Sequence, residues 1–186
     1  MEDKFITTIG FDAAADAVYD FNLRMGKNVD NPTWADIFVQ NKINFEEQKE
    51  LYYALRMLEE QQAGKVTQEQ LGDYNPLIEV VDAVGDTLVT APMLVTMIEG
   101  KGIDVQEAFD RIMENNELKL YDNRAQANYQ CQRYVDKPSI VAGVVAYTDP
   151  EGVTWYSVRD GEGKVRKSID HPTVDLADLV EDVKGE

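Results

Sequence analysis

Apolar side chains recur at helical spacing through most of the chain. In GFDAAADAVYDFNLRMGK, Phe11, Ala15, Val18, Phe21 and Met25 share one face, Asp12 stands near a cap position and Gly26 ends the run, which predicts a first helix. The turn NVDNPTW leads to a second periodic segment, from about Thr33 to Ala63 and closed by Gly64, that is long for a globular helix. A polar linker, GKVTQEQLGDYN, follows. Pro76 then sits where a first helical turn accepts it, and PLIEVVDAVGDTLVTAPMLVTMIEG predicts a third helix ending at Gly100, kinked at Pro92. A fourth helix starts in IDVQEAFDRIMENNELKL, where Asp104 and Glu107 have capping-box spacing.

The texture changes after about Tyr134. SIVAGVVAYTD, VTWYSVRD and GKVRKSI are short runs rich in Val, Thr and aromatics, divided by the turn sequences DPEG and DGEG, and they predict a small antiparallel meander. The expected fold is mainly α, a helical bundle over residues 1–134 with a β-rich extension, 135–186, packed on it. No internal repeat is visible.

A length of 186 residues suits one domain with an appendage, and 44% apolar residues suffice for a core. Acids outnumber bases 35 to 18, a formal charge of -17. Such a surface repels nucleic acid and anionic membrane, and an anionic substrate would arrive beside a cation. Cys131 is the single cysteine and His171 the single histidine, so an internal disulfide is excluded and a Cys–His nucleophile is not expected. MEDKFITTIGFDAAADAV lacks a basic region followed by a long apolar run, and no segment reads as about 20 apolar residues in a row; a cytoplasmic, soluble protein is expected.

Charge changes the picture most on helices two and three. On helix two, Ile43, Glu47, Glu50 or Leu51, Ala54 and Leu58 form one stripe, so two carboxylates interrupt a core-like face. Glu46 lies one position around, four residues before Glu50, and the three acids can meet within a turn. On helix three, Glu79, Asp82 and Asp86 are spaced i, i+3, i+7 among almost wholly apolar neighbours, which predicts acids facing the interior. Buried carboxylates must be paired, protonated or bound to metal, and that helix has no Lys or Arg. Two acidic clusters on consecutive helices suggest an oxygen cage for a hard cation such as Mg²⁺, suited to metal-assisted hydrolysis of a phosphoanhydride. The rival for either cluster alone is a solvated or hydrogen-bonded face.

EEQKE (Glu46–Glu50) followed by EVVDAVGD (Glu79–Asp86) resembles the E-E-x-x-E then E-x-x-D signature of the MazG-like, all-α nucleoside triphosphate pyrophosphohydrolases. YDFNLRMG resembles the end of that family's first helix. NELK, with Asn116 and Lys119, is similar to its N-x-x-K motif, and GEGKVRKSIDHPTVDL to the ending of its phosphoribosyl-ATP pyrophosphohydrolase-like branch. The likeness runs from about Phe11 to Leu176, excepting Asn123–Asp149. TLVTAPML departs from the run that relatives carry after the last Asp.

The resemblance implies a four-helix bundle that hydrolyses nucleoside triphosphates, dNTPs above all, to monophosphate and pyrophosphate, with Mg²⁺, or Mn²⁺ in its place. It implies Glu47, Glu50, Glu79 and Asp82 as metal ligands and Asp86 as an outer ligand or an acid behind the ligands, with Glu46, Glu47 and Glu50 as the catalytic acids and Glu46 binding a further ion or orienting the water. Water held between metal and carboxylate needs no Ser, Cys or His. Lys119 and Arg124, with Asn116, and Lys164 and Lys167 of GKVRK are candidates for the phosphates; Phe21 and Asn22 could stack on and read the base. A homodimer, or a dimer of dimers, would complete the bundle. The rivals are a dUTP- or phosphoribosyl-ATP-specific enzyme, and an acidic interaction protein with no catalytic role.

Overall fold

The computed structural model describes residues 11–134, 142–181 and 183, with side chains from residue 15 onward. The amino-terminal leader reading, the Asp12 side chain and the first three residues of SIVAGVVAYTD lie outside that description. The protein is mainly helical with a small antiparallel sheet, and divides into two compact units, one ending at Val105 and the other Gln106–Glu181. The division falls ahead of the change of texture at Tyr134, so the later helices group with the strands.

The first unit holds α1 (Phe11–Arg24), α2 (Trp34–Gln62), α3 (Gln68–Leu71) and α4 (Pro76–Glu99). Each long helix begins where its chemistry directs. Thr33 caps α2 in a reciprocal box with Asp36, and Asn75 caps α4, accepting from the backbone N–H groups of Leu77 and Ile78 just behind Pro76. Pro92 lies inside α4 and is buried. Both α1 and α2 pack on α4. Their shared core joins Val18, Val29, Ile37, Met93 and Met97, with Tyr19, Trp34, Leu94 and Ile98 packed around it. This core lies at the amino-terminal end of α2 and the carboxyl-terminal end of α4. Gly100 closes α4 against the 29–32 turn so tightly that a Cβ would stand 2.7 Å from both Pro32 Cδ and the Val29 carbonyl oxygen.

Beyond that core, α2 and α4 leave apolar side chains in the open. Phe38, Phe45 and Tyr52 recur every seven residues along α2, and Leu77, Ile78 and Val81 of α4 are 57–66% exposed. The interior position expected of the α4 acids is therefore corrected for the single chain: Glu79 is half-buried, and Asp82 and Asp86 are exposed. One chain buries only one side of this helix. By length and composition α4 would also pass for a membrane-crossing helix, contrary to the reading that no segment is long and apolar enough.

The second unit contains α5 (Val105–Glu117), β1 (Leu120–Tyr121), α6 (Arg124–Gln132), β2 (Ala142–Thr148) and β3 (Thr154–Asp160), then a 3₁₀ turn at Ala177–Val180. The sheet order is β1-β3-β2, all antiparallel, with Val144 opposite Val158 and Tyr121 opposite Tyr156. The turns DPEG and DGEG form as expected: Gly152 and Gly163 take positive φ, and Asp149 and Asp160 accept backbone N–H bonds across each turn. GKVRKSI is not a strand but meets β3 through a single bridge, Val165 to Arg159; β1 takes the third place in the sheet. α6 covers the sheet, with Ala127 and Val158 buried.

Candidate functional site

Gln40, Asn44, Glu47, Glu50 and Ala54 follow one another along the side of α2 that meets α4, and α4 answers antiparallel. Buried Gln40 donates through Nε2 to the Thr90 carbonyl at 3.2 Å, and Thr90 Oγ1 donates to Asn44 Oδ1 at 3.1 Å. One turn further, Glu47 is half-buried among carboxylates of both helices. Burial first, and then the charges of Asp86, Glu50, Glu46 and Asp82, push its carboxyl above the usual glutamate range. Further still, Ala54 and Ala83 are buried at the floor of a pocket of about 210 Å³. Glu50, Glu79 and Asp82 line it, and Tyr53 and Tyr74 complete its wall. Small side chains at the floor let the two helices approach closely while longer carboxylates reach over them.

The sequence-predicted acids thus share one face of the α2–α4 pair. Glu46, Glu47, Glu50, Asp82 and Asp86 interact electrostatically through Glu47, and Glu79 joins Glu50 and Asp82 in the pocket. Among the described residues no salt bridge reaches any of the six. Their donor chemistry fits a hard divalent cation: oxygen ligands only, in excess, and without a cation of the protein's own between them. As the side chains stand, no three His, Cys, Asp or Glu among the described residues are gathered closely enough to hold a metal ion. Glu46, Glu50, Asp82 and Asp86 are exposed, so their side chains are free to change rotamer.

The other candidates stand on other elements. Phe21 is exposed, and Asn22 is buried with Nδ2 donating to the Val18 carbonyl of its own helix at 2.8 Å. In the second unit, Lys119 donates to the Asn116 side chain, Arg124 opens α6 in the open, and Lys164 lies in the turn after β3, where its N–H donates to Asp160. The Lys167 carbonyl accepts from the Tyr134 hydroxyl. Lys119 and Lys167 both act on His171: burial, then these two ammonium groups, hold its imidazole below the usual histidine range, and its Nε2 lies 2.9 Å from Asn115 Oδ1. His171, set aside in the sequence as distant from Cys131, is thus the meeting point of two of the candidate lysines.

Sequence reasoning missed Tyr53 and Tyr74. Tyr53 could have been found, since it follows Glu50 by three residues and shares its side of α2. Tyr74 precedes the α4 cap, and only the folded connection brings it to the acids. No protein-family model, curated protein or solved structure matches the chain.

Proposed function

We propose that the protein is a Mg²⁺-dependent nucleoside triphosphate pyrophosphohydrolase, acting on dNTPs above all, with Mn²⁺ able to replace Mg²⁺. The carrying observation is the convergence on Glu47 of carboxylates from two facing helices, with no salt bridge to offset them among the described residues. Repulsion of that kind opposes folding and is relieved by a divalent cation.

Glu47, Glu50, Glu79 and Asp82 would hold the metal, with Asp86 as an outer ligand. A divalent ion bound there supplies charge neutralisation for the phosphates and acidifies water. The carboxylates around that ion would accept the proton of the water that attacks the α-phosphorus, with Glu46 orienting the water. Pyrophosphate leaves.

The unit would work as a homodimer whose second copy covers the α2–α4 apolar stripes and completes a four-helix bundle. The heptad spacing of Phe38, Phe45 and Tyr52 suits a facing helix. A lipid covering would instead have to accommodate Asp82 and Asp86 on the same helix, at a cost of several kcal/mol.

The test is release of monophosphate and pyrophosphate from canonical and modified (d)NTPs, with Mg²⁺, Mn²⁺ or EDTA. Turnover should need metal and fall by about a hundredfold or more in Glu50→Gln and Asp82→Asn. A folded protein that binds Mg²⁺ but leaves every nucleotide intact refutes the substrate; one that binds no metal favours an acidic interaction protein instead.

A further inference from the structure

The pocket beside the acids has an aromatic wall that metal binding does not require. Tyr53 and Tyr74 face the same space as Glu50, Glu79 and Asp82. Neighbours hold the Tyr53 ring and the Tyr74 backbone, and both side chains stay open to a ligand, 56% and 38% exposed. Tyr52 packs edge-on against Tyr53 with centroids 5.4 Å apart, and the Lys49 ammonium lies 6.0 Å from the Tyr53 ring. Tyr74 is set by its backbone: Gln61 Nε2 donates to Gln68 Oε1 at 2.9 Å, and Gln68 Nε2 donates to the carbonyls of Gly72 and Tyr74 at 2.9 and 3.0 Å. These bonds tie the α2–α4 connection back onto α2. Asn75, the next residue, caps α4.

We propose that Tyr53 and Tyr74 are the stacking platform for the substrate's base, so that the site selects nucleoside triphosphates over base-free polyphosphates while discriminating weakly among bases. The inference rests on the triphosphate reading of the acids. Each residue of α2 advances about 1.5 Å, which sets Tyr53 about 4.5 Å beyond Glu50 and about 9 Å beyond Glu47 along the helix. A nucleotide with its phosphates at Glu47 and Glu50 and its base toward the carboxyl-terminal end of α2 would meet the two rings at that distance. Aromatic stacking tolerates every base because each has a π-face. The pocket lining contains Glu, Asp, Tyr and Ala and no side-chain amide. With the carboxylates assigned to metal and no amide beside the rings, stacking carries the contact with the base and only the tyrosine hydroxyls are left to read its edge. Tyr53 and Tyr74 touch the base and not the reacting phosphorus, so their signature is a loss of affinity that depends on the base being present.

The full-length protein is titrated calorimetrically, with Mg²⁺, against α,β-methylene nucleoside triphosphates of all four bases and against inorganic tripolyphosphate. Tyr53→Ala and Tyr74→Ala should each weaken the nucleotides about tenfold and tripolyphosphate less than about twofold, and the four bases should bind wild type within about tenfold of one another. Tyr53→Phe and Tyr74→Phe, which keep the ring, should restore nucleotide affinity. The stacking role is overturned if the Ala variants weaken both ligands alike or neither, or if one base alone binds. If wild type binds neither nucleotide nor tripolyphosphate, it is the triphosphate reading that fails.

Discussion

Replacing Glu47 by Gln should make the metal-free protein more stable and the Mg²⁺-loaded protein less so. The substitution keeps shape and removes one charge from a half-buried position that faces Asp86, Glu50 and Asp82. A like-charge pair one helical turn apart costs about 0.2–0.5 kcal/mol, which applies to Glu47 and Glu50. Taking the two α4 carboxylates as comparable, three such terms sum to about 1 kcal/mol, and relief of the burial penalty has the same sign. For a chain of this size that is a rise in Tm of about 2–4 °C in EDTA. The pH dependence follows from the direction of the shift. Folded Glu47 keeps its proton to a higher pH than the unfolded chain, whose glutamates titrate at about 4.3. Between the two values the folded state binds more protons, so wild-type stability falls as pH rises through that window and levels off above it. The variant lacks this component. Saturating Mg²⁺ should raise the wild-type Tm more than the variant's, because binding to the native state adds stability in proportion to the logarithm of ligand concentration over Kd. Thermal melts of both proteins, with EDTA or Mg²⁺ and from pH 4 to 7, would read all three effects. A variant that melts lower in EDTA, or gains as much from Mg²⁺ as wild type, would refute the like-charge description.

Two further predictions concern the frame that carries the site. Thr90→Val deprives Asn44 Oδ1 of its hydroxyl donor in a buried position and should cost about 1–3 kcal/mol in urea unfolding. Gly100→Ala drives a methyl into Pro32 and the Val29 carbonyl and should cost about 1–3 kcal/mol, read by the same assay; its φ of -60° suits any residue, so a neutral outcome would mean that the 29–32 turn shifts at little cost.

The long helices were legible because their apolar spacing, caps and closing residues agree: Thr33, Pro76 and Gly26 each stand where the structure needs them. Shorter elements were not. β1 is two residues whose strand character comes from pairing with Tyr156 and Ser157, and α6, RAQANYQCQ, has too few apolar side chains for a helical stripe to show. α3 was read as linker because its stabilisation is a Thr67–Gln70 box with no apolar pattern behind it. GKVRKSI has strand composition, yet β1 occupies the edge of β3 that it would have needed. The acids were legible as a group because i, i+3, i+4 and i+7 spacing fixes a face. Their exposure was not, since hydropathy assigns α4 to an interior without saying whether one chain is enough to enclose it.

The Gln40–Thr90–Asn44 contacts bear on more than stability. Apolar helix faces can slide past one another by a turn, about 5.4 Å, and still bury similar area. A buried amide and hydroxyl cannot: each is paired at one alignment and orphaned at the next. Glu47 follows Asn44 by three residues and Asp86 precedes Thr90 by four, so the same polar rung that indexes α2 against α4 sets which carboxylates stand opposite each other. The chemistry of the acids is therefore calibrated by three uncharged side chains that take no part in it.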